Sequence, residues 1–229
     1  MSSLTTFVNH FKTKSLRQLV ANFRNEYISD GINETILKDN PIDQFEVWFN
    51  EAVSNKLNEP NVMSLSTIQA DGKPSNRILL LKGFDEKGFV FYTNYGSRKG
   101  KEIEGNNHAA MTFLWLELYK QVRIEGTLHK VSALESDTYY KSRPRGSQIG
   151  AWVSEQSQPI NDRAELERKV EEVEERFKGK PVTRPENWGG YCLVPAVVEF
   201  WQGRASRLHD RIEYRLGDDQ TWTKQRLAP

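Results

Sequence analysis

The sequence predicts a mainly β fold (α+β), in which helices pack outside a β-barrel. Stretches of strand-type residues separated by short turns fill residues 62–94, and two more stretches follow at 109–116 and 120–131. After a helical interval, the end of the chain returns to strand-type patterns. Several consecutive strands with interspersed helices are typical of this architecture.

Composition limits both the size and the function class. The 229 residues allow one large domain or two small ones. With 32 Lys and Arg against 31 Asp and Glu, the net charge of +1 argues against a general polyanion binder. The single cysteine, Cys192, fits a reducing compartment. The four scattered histidines lack zinc-ligand spacing, so no metal site is predicted.

Residues 1–39 are predicted to form a partly mobile N-terminal arm, and residues 40–229 a single domain. The arm carries four basic residues before its first acid, namely Lys12, Lys14, Arg17 and Arg24. This pattern mildly resembles a mitochondrial transit peptide, although a mobile arm with some helix is the favoured interpretation. Because no apolar run approaches the roughly 20 residues that span a bilayer, we expect a cytoplasmic protein without a membrane partner.

A helix-capping residue and two turns predict the first helix and the first strands of the domain. Asn40 can cap a helix that begins at Pro41, after which apolar residues recur at helical spacing. Three strands are predicted at 62–69, 76–84 and 89–94, because Asp-Gly and Lys-Gly turns separate the apolar stretches.

The later helices begin at caps. Ser97 can cap a short helix over residues 98–105. Capping boxes at Ser132 and Asp162 open two further helices, the first ending before Pro144 and the second forming a solvated outer element. The remaining segments are predicted to be strands, at 109–116, 120–131, 190–194, 197–203, 211–216 and 221–227.

Several catalytic classes lack their motifs. No glycine-rich dinucleotide fingerprint follows a strand, and residues 96–101 are one residue too short for a P-loop. No nucleophile elbow is present, and Cys192 has no obvious base nearby. The sequence therefore argues against ATP hydrolysis and gives weak support to nucleophilic catalysis.

Cations cluster instead beside turns and strand ends. They are Arg77 and Lys82 around one strand, Arg98, Lys99 and Lys101 at a helix start, Arg143 and Arg145 with Ser147 in a loop, and Arg204, Arg207, His209 and Arg211 near the end. In a chain of near-neutral charge, such clusters suit one or two small phosphorylated ligands, because Arg and Lys bind phosphate well. The alternative is that each is an ordinary surface charge.

His209 stands between Arg207 and Arg211. If this segment is a strand, the three side chains share one face and present two guanidinium groups and an imidazole to one anionic ligand. Trp201 and Gln202 could add a stacking plane and an amide, although core packing is the alternative role for Trp201.

Long motifs that match one known family are spread across nearly all of the chain after Asn40. The matching segments are NRILLLKGF (76–84), FYTNYGSRKGKE (91–102), KQVRIEG (120–126), YYKSRPRGSQIGAWVSEQS (139–157), WGGY (188–191), EFWQGRASRLHDR (199–211) and RLAP (226–229). In sequence and in order they resemble the motifs of the pyridoxine/pyridoxamine 5′-phosphate oxidase family, and the shared order makes the resemblance specific.

The resemblance implies a split β-barrel that binds flavin mononucleotide (FMN), in a homodimer with two flavin sites at the subunit interface. It implies oxidation of the B6 vitamers pyridoxine 5′-phosphate and pyridoxamine 5′-phosphate to pyridoxal 5′-phosphate. Oxygen would reoxidise the flavin and yield hydrogen peroxide, and the amine substrate would also release ammonia.

Matched motif by motif, the resemblance also implies two sets of site residues. The flavin would be bound by Arg77, Ile78, Leu79, Leu80, Tyr92, Thr93, Arg98, Lys99, Gln121, Gln156, Ser157, Trp201 and Arg211, some of them from the partner subunit. The substrate phosphate would be bound by Lys82, Tyr139, Arg143 and Ser147, with Tyr140 as an alternative to its neighbour. Arg207 and His209 would be the catalytic residues, which embrace the substrate ring and the reacting carbon.

Two other functions are weighed against this one. Another flavoprotein of the same barrel superfamily, such as a flavin reductase or a haem-degrading relative, would lack the six substrate residues, and all six are present. A non-catalytic β-barrel that binds nucleic acid through aromatic and Arg side chains is a function of a different class. The near-neutral charge of the chain opposes it.

Overall fold

The computed structural model describes residues 16–23 and 26–229, and the basic residues Lys12, Lys14 and Arg24 of the predicted arm lie outside them. The α-helices are α1 (Leu16–Ala21), α2 (Pro41–Ser54), α3 (Arg98–Gly105), α4 (Ala133–Ser142), α5 (Arg145–Val153) and α6 (Arg163–Arg176). The strands are β1 (Val62–Ile68), β2 (Pro74–Leu80), β3 (Gly83–Asp85), β4 (Gly88–Asn94), β5 (His108–Trp115), β6 (Lys120–Lys130), β7 (Trp188–Gln202), β8 (Asp210–Leu216) and β9 (Trp222–Leu227). Within these described ranges, no helix is long and apolar enough to cross a membrane.

The strands form one antiparallel sheet whose main path runs β2-β1-β5-β6-β7-β4-β3, with β8 and β9 added beside β7. The two end strands of this path, β2 and β3, are separated in the chain only by Leu81 and Lys82. The sheet therefore has to curl until its ends meet. In this link, Leu81 N donates to Asn61 O next to β1 and Lys82 N donates to Val90 O of β4, both at 2.8 Å, so the link is bonded to the neighbour of each end strand. The predicted barrel is confirmed.

The prediction of one strand over residues 76–84 is wrong, because the chain changes its pairing partner at Leu81. The first half of this segment, β2, pairs with β1, and the second half, β3, pairs with β4. A local pattern of apolar residues carries no information on this exchange of partners.

The two strands predicted at 190–194 and 197–203 form a single strand, β7. Its start pairs with β4, its end pairs with β8, and β6 follows it along nearly its whole length. Val197 lies opposite Glu125 and Pro195 lies opposite Gly126, so Ala196 is an extra residue in β7, as in a β-bulge.

Two hydrophobic cores hold the molecule together. The barrel interior contains Phe45 of α2, which is fully buried and packs edge-to-face on Phe89 and Phe113 with ring centroids 4.9 and 5.0 Å apart. A second core, which includes Tyr140 and Trp188, lies among the helices α4–α6 and the start of β7. This outer core places α4 and α5 beside the barrel.

The predicted helix starts are confirmed by their caps. Asn40, Ser97, Ser132 and Asp162 each accept a hydrogen bond from a backbone N–H two or three residues later, at 2.8–3.2 Å. Each bond satisfies one of the N–H groups that the first turn of a helix leaves without a partner.

Two segments differ from their predictions. Arg145 and Ser147 are not in a loop, because Pro144 at the N-cap opens α5 at once. Residues 207–211 are not one strand, because Ala205–Arg207 form a 3₁₀ turn in which Arg207 has a φ of 61°. Arg207, His209 and Arg211 therefore do not share a strand face.

Part of the predicted arm contacts the barrel. The hydroxyl of Ser29 donates to Gly203 O at 2.6 Å, and Ile32 N donates to the carboxylate of Asp210 at 2.9 Å. The guanidinium of Arg226 in β9 then pairs with both Asp210 and Glu34. These bonds fasten residues 29–34 to the C-terminal strands.

Candidate functional site

A cleft of about 500 Å³ is lined by residues of β2, β4, α4 and α5. Its volume is in the range of sites for small molecules. Members of both predicted sets line it, namely Ile78, Leu79, Leu80, Lys82, Tyr92, Thr93, Tyr139, Arg143, Ser147 and Gln156. One subunit therefore brings together residues that are far apart in the sequence.

The four predicted phosphate-binding residues of the substrate set all line this cleft. Lys82 comes from the link between β2 and β3, and Tyr139 lies in the last turns of α4. Arg143 ends α4 in an extended conformation, and Ser147 lies in the first turn of α5. Tyr140, the alternative to Tyr139, is instead buried in the outer core, where its hydroxyl donates to the Gln148 carbonyl at 2.7 Å.

Arg143 is held by aromatic rings. Its guanidinium carbon lies 4.5 Å from the ring centroid of Trp188 and 5.6 Å from that of Tyr140. Its Nη1 atom is buried and has no hydrogen-bond partner among the residues that the structure describes. Burial lowers the pKa of Arg143, although a guanidinium stays charged in a protein. A buried charged donor without a partner is unfavourable, so this atom indicates a site for an anion.

Sequence reasoning missed Trp188, which lines the same cleft. Its ring is nearly parallel to those of Tyr92 and Tyr139, at angles of 11° and 5° and centroid distances of 5.6 and 6.2 Å. Tyr92 and Tyr139 themselves stack at 3.8 Å. Burial raises the pKa of Tyr92 to about 12, so its hydroxyl stays protonated. The motif WGGY was a signal, but a strand tryptophan is more often a core residue. Asn94, Gly150, Ala151 and Ser154 also line the cleft.

Lys99 lies in the first turn of α3, next to the cleft residues Thr93 and Gln156. Its Nζ donates to Gln156 Oε1 at 2.7 Å, to Thr93 Oγ1 at 3.1 Å and to Ser97 Oγ at 3.3 Å. None of these acceptors is charged, so its charge is not neutralised by them. Burial, followed by the nearby charge of Arg77, lowers the pKa of Lys99 to about 8. A buried ammonium at a helix N-terminus favours an anion.

Arg77 and Arg98, both predicted to bind the flavin, share the carboxylate of Glu102. The distances are 2.9 Å from Arg77 Nη2 and 3.0 Å from Arg98 Nε. Burial alone would raise the pKa of Glu102, but hydrogen bonds from Thr67 and the two arginines lower it. Arg98 and Ser157 border a second cleft of about 390 Å³, whereas Arg77 lines neither cleft.

Three other predicted flavin residues lie outside the first cleft, side by side on neighbouring strands. Gln121 of β6 is the cross-strand partner of Trp201 in β7, and Trp201 is the partner of Arg211 in β8. The guanidinium of Arg211 makes two bonds to the buried carboxylate of Glu199, at 2.8 and 3.0 Å. None of the three residues lines the first cleft.

His209 joins this second group, and Arg207 lies exposed beside it. The ring centroid of His209 is 4.6 Å from that of Trp201 and 5.6 Å from that of Tyr27. The backbone N–H of Arg204 donates to His209 Nδ1 at 3.1 Å, so in the neutral ring the proton is on Nε2. Burial, followed by the charge of Arg207, lowers the pKa of His209. This histidine thus presents a neutral N–H donor.

Family models match most of the chain. One described as pyridoxamine 5′-phosphate oxidase matches residues 49–177, and one described as the pyridoxine 5′-phosphate oxidase C-terminal dimerisation region matches residues 188–229. Curated pyridoxine/pyridoxamine 5′-phosphate oxidases of Pseudomonas paraeruginosa and Rubrobacter xylanophilus are each 53% identical to it. These matches cover 93% of this chain, and 100% and 98% of the two relatives.

Solved structures show the same architecture. The structure of PhzG from Burkholderia lata, in complex with tetrahydrophenazine-1-carboxylic acid, has a TM-score of 0.81 and 28% identity, covering 87% of this chain and 98% of that one. A pyridoxamine 5′-phosphate oxidase-related, FMN-binding protein from Nostoc punctiforme has a TM-score of 0.68 and 19% identity, covering 84% and 100%. The split β-barrel fold expected from the sequence is confirmed.

Proposed function

The chain belongs to the pyridoxamine 5′-phosphate oxidase family, and from this premise we propose that it oxidises pyridoxine 5′-phosphate and pyridoxamine 5′-phosphate to pyridoxal 5′-phosphate. The proposed cofactor is FMN and the proposed electron acceptor is oxygen, with hydrogen peroxide as a product and ammonia released from the amine. The observation that carries the proposal is the buried, unpartnered Nη1 atom of Arg143, in a cleft that also presents Lys82 and Ser147. Such donors suit the phosphate that both substrates have.

The residues present fit the proposed cofactor. Lys99 donates its three hydrogen bonds to neutral oxygens, so its positive charge is available to bind the FMN phosphate. The first N–H groups of α3 can bind the same phosphate. The residues proposed to hold FMN in this cleft are Ile78, Leu79, Leu80, Tyr92, Thr93, Lys99 and Gln156, with Arg77, Arg98 and Ser157 beside them. When bound, FMN supplies the acceptor for the hydride that leaves the substrate.

The second group of residues is proposed to complete the site of the partner subunit in a homodimer. Its members are Gln121, Trp201, Arg207, His209 and Arg211. Two observations support this role. They lie outside the cleft of their own subunit, and all but Gln121 fall in the segment that matches the dimerisation region. Ile78 in β2 and Leu114 in β5 are 63% and 55% exposed, as expected for apolar side chains that a ligand or a second subunit covers.

In the proposed reaction, the protein orients the substrate from two ends. Lys82, Tyr139, Arg143 and Ser147 hold its phosphate, while Arg207 and His209 contact its ring. The charge of Arg207 favours the phenolate form of the ring, and Nε2–H of His209 donates to a ring substituent. Fixing both ends would hold the reacting carbon in one position relative to the bound flavin, and such positioning contributes strongly to the rate.

We also propose that residues 40–229 act as one domain and that the protein works in the cytoplasm. The matched family segments support the first point, since they begin at residue 49 and end at residue 229. The relatives named above are bacterial proteins, which gives no support to the mitochondrial alternative.

The direct test is an assay of the purified, yellow protein with pyridoxine 5′-phosphate in air. We expect pyridoxal 5′-phosphate and hydrogen peroxide to appear together in equal amounts. A flavin-loaded protein that forms neither product would contradict the proposal. A colourless protein with salt-sensitive binding to nucleic acid would favour the non-catalytic alternative.

A further inference from the structure

Four partly buried arginines are held in two different ways. Arg77, Arg184 and Arg211 each donate to a carboxylate, on Glu102, Asp137 and Glu199, at 2.6–2.9 Å. Such a pair occupies N–H donors and neutralises the charge of the guanidinium. Arg143 instead lies over the indole ring of Trp188. A cation–π contact fixes the position of a guanidinium through its face and leaves the N–H donors, which point outward from its edge, unused.

The side chain of Trp188, on which the Arg143 guanidinium lies, is itself fixed by packing. It is the first residue of β7, it is only 6% exposed, and it packs in the outer core against Tyr140. Its ring is parallel to that of Tyr139, which also lines the cleft. The indole plane therefore cannot turn without disturbing both the core and the cleft, and it gives Arg143 a fixed support.

We propose that Trp188 is a positioning residue for the substrate phosphate, holding the Arg143 guanidinium in the cleft by its ring face so that the donors of this arginine stay available to the phosphate. The inference rests on the proposed function, because it takes the phosphate of a B6 vitamer as the ligand. The unpartnered Nη1 atom of Arg143 is the physical sign of this arrangement.

The test compares two ligands that differ only in the phosphate. Pyridoxal 5′-phosphate and pyridoxal are titrated into the FMN-loaded protein, and their dissociation constants are measured for the wild type and for Trp188→Leu. We expect the variant to bind pyridoxal 5′-phosphate about three- to thirtyfold more weakly, the range that a desolvated cation–π contact contributes. Because Trp188 also packs on Tyr92 and in the outer core, the variant should be less stable and retain flavin less well, so only its FMN-loaded fraction is titrated. In that fraction, binding of pyridoxal should stay within about threefold of the wild type, whereas general damage to the cleft would weaken both ligands equally.

Two further variants separate positioning from stability. Trp188→Phe keeps an aromatic face and should restore binding of pyridoxal 5′-phosphate to within about threefold of the wild type. The matched control is Trp152→Leu. Trp152 also lies under an arginine, with the guanidinium of Arg176 4.4 Å from its ring centroid, but it does not line the cleft. This control should bind both ligands normally.

Several results would overturn the inference. They are an unchanged affinity of Trp188→Leu for pyridoxal 5′-phosphate, an equal loss for both ligands, or the same selective loss in Trp152→Leu. Failure of the proposed function is a separate outcome, because there the wild-type protein itself would neither bind pyridoxal 5′-phosphate nor oxidise pyridoxine 5′-phosphate.

Discussion

The ionisation of Lys99 should control how tightly FMN is retained at alkaline pH. Its pKa is lowered to about 8, first by burial and then by the charge of Arg77. Below pH 8 the ammonium is present in the protein without flavin, and above pH 8 it is progressively lost. The FMN dissociation constant should therefore rise above about pH 8, by at most about tenfold per pH unit for one proton.

Fluorescence titration of FMN between pH 6.5 and 9.5 measures this effect. The variant Lys99→Arg serves as the control, because a guanidinium stays protonated throughout this range. The FMN affinity of this variant should not change with pH in the range where the affinity of the wild type falls. An identical alkaline loss in both proteins would assign the titration to another group.

Arg207 should matter for turnover and not for assembly. The side chain is exposed and its backbone lies in a 3₁₀ turn, so the substitution Arg207→Leu removes a charge without opening the core. We expect this variant to fold, to dimerise and to stay yellow, yet to lose much of its oxidation of pyridoxine 5′-phosphate, because the ring is no longer oriented.

Anaerobic mixing with substrate isolates flavin reduction from the later reaction with oxygen. Bleaching of the flavin should be slow in Arg207→Leu and normal in Arg168→Leu, which removes an exposed arginine of α6. Normal bleaching in both variants would leave Arg207 with a role in bracing the dimer only.

Residue chemistry was predictable where it depended on the side chain alone. The grouping of Arg143 with Ser147 and the position of Lys99 at a helix start followed from residue type and spacing. The support that Trp188 gives to Arg143 did not, because it depends on which helix packs against the first residue of β7. The tautomer of His209 likewise depends on a bond from the backbone of Arg204.

At the scale of elements, the cap of α3 should link helix stability to flavin binding. Ser97 is fully buried and accepts from Gly100 N and from Lys99 Nζ, at 3.2 and 3.3 Å. The variant Ser97→Ala should lower the free energy of unfolding by about 1 kcal/mol, as the loss of an N-cap does. It should also weaken FMN binding, because α3 carries Lys99.

Asp162→Ala is the matched control for this prediction. It removes the cap of α6, a helix with no residue of the proposed site, so it should lower stability by a similar amount and leave FMN affinity unchanged. Denaturant unfolding and FMN titration of both variants give the two quantities. Equal FMN affinity in the two variants would show that the cap acts on stability alone.

The starts of the four helices with a side-chain cap were predicted well, because such a cap is decided within four residues. The helix α5 was missed, because Pro144 at its N-cap makes no side-chain bond. The boundary between β2 and β3 was not predicted, because it depends on pairing with two other strands. β2 pairs with β1, which precedes it in the sequence, and β3 pairs with β4, which follows it. The 3₁₀ turn at Ala205–Arg207 was missed for a different reason. A positive φ at Arg207 has no sequence signal comparable to glycine.

For the whole molecule, flavin retention should depend on dimerisation. If residues such as Trp201 complete the site of the partner subunit, a monomer has only part of each flavin site. Anything that binds the dimer alone stabilises the dimer. Sedimentation of the flavin-loaded protein should therefore show a dimer at all loadings, and dilution that produces monomers should release FMN. A monomer that sediments with bound flavin would contradict this arrangement.

The extra residue Ala196 in β7 has a consequence for this arrangement, because side chains of a strand alternate between its two faces. Before the bulge, odd-numbered residues such as Leu193 face the core. After it, even-numbered residues such as Val198 do so, and both of these side chains are completely buried.

The bulge therefore restores the alternation of side chains in a strand whose first residue lines the cleft and whose other end belongs to the second group of residues. It keeps Trp188, at the start, and Trp201, at the end, on the same outer side of the barrel. If Ala196 took part in a regular strand, with no bulge, the alternation would turn Trp201 inward and Phe200 outward. Because the bulge sets Ala196 aside from the pairing, a single strand reaches the cleft of its own subunit at one end and the proposed site of the partner at the other.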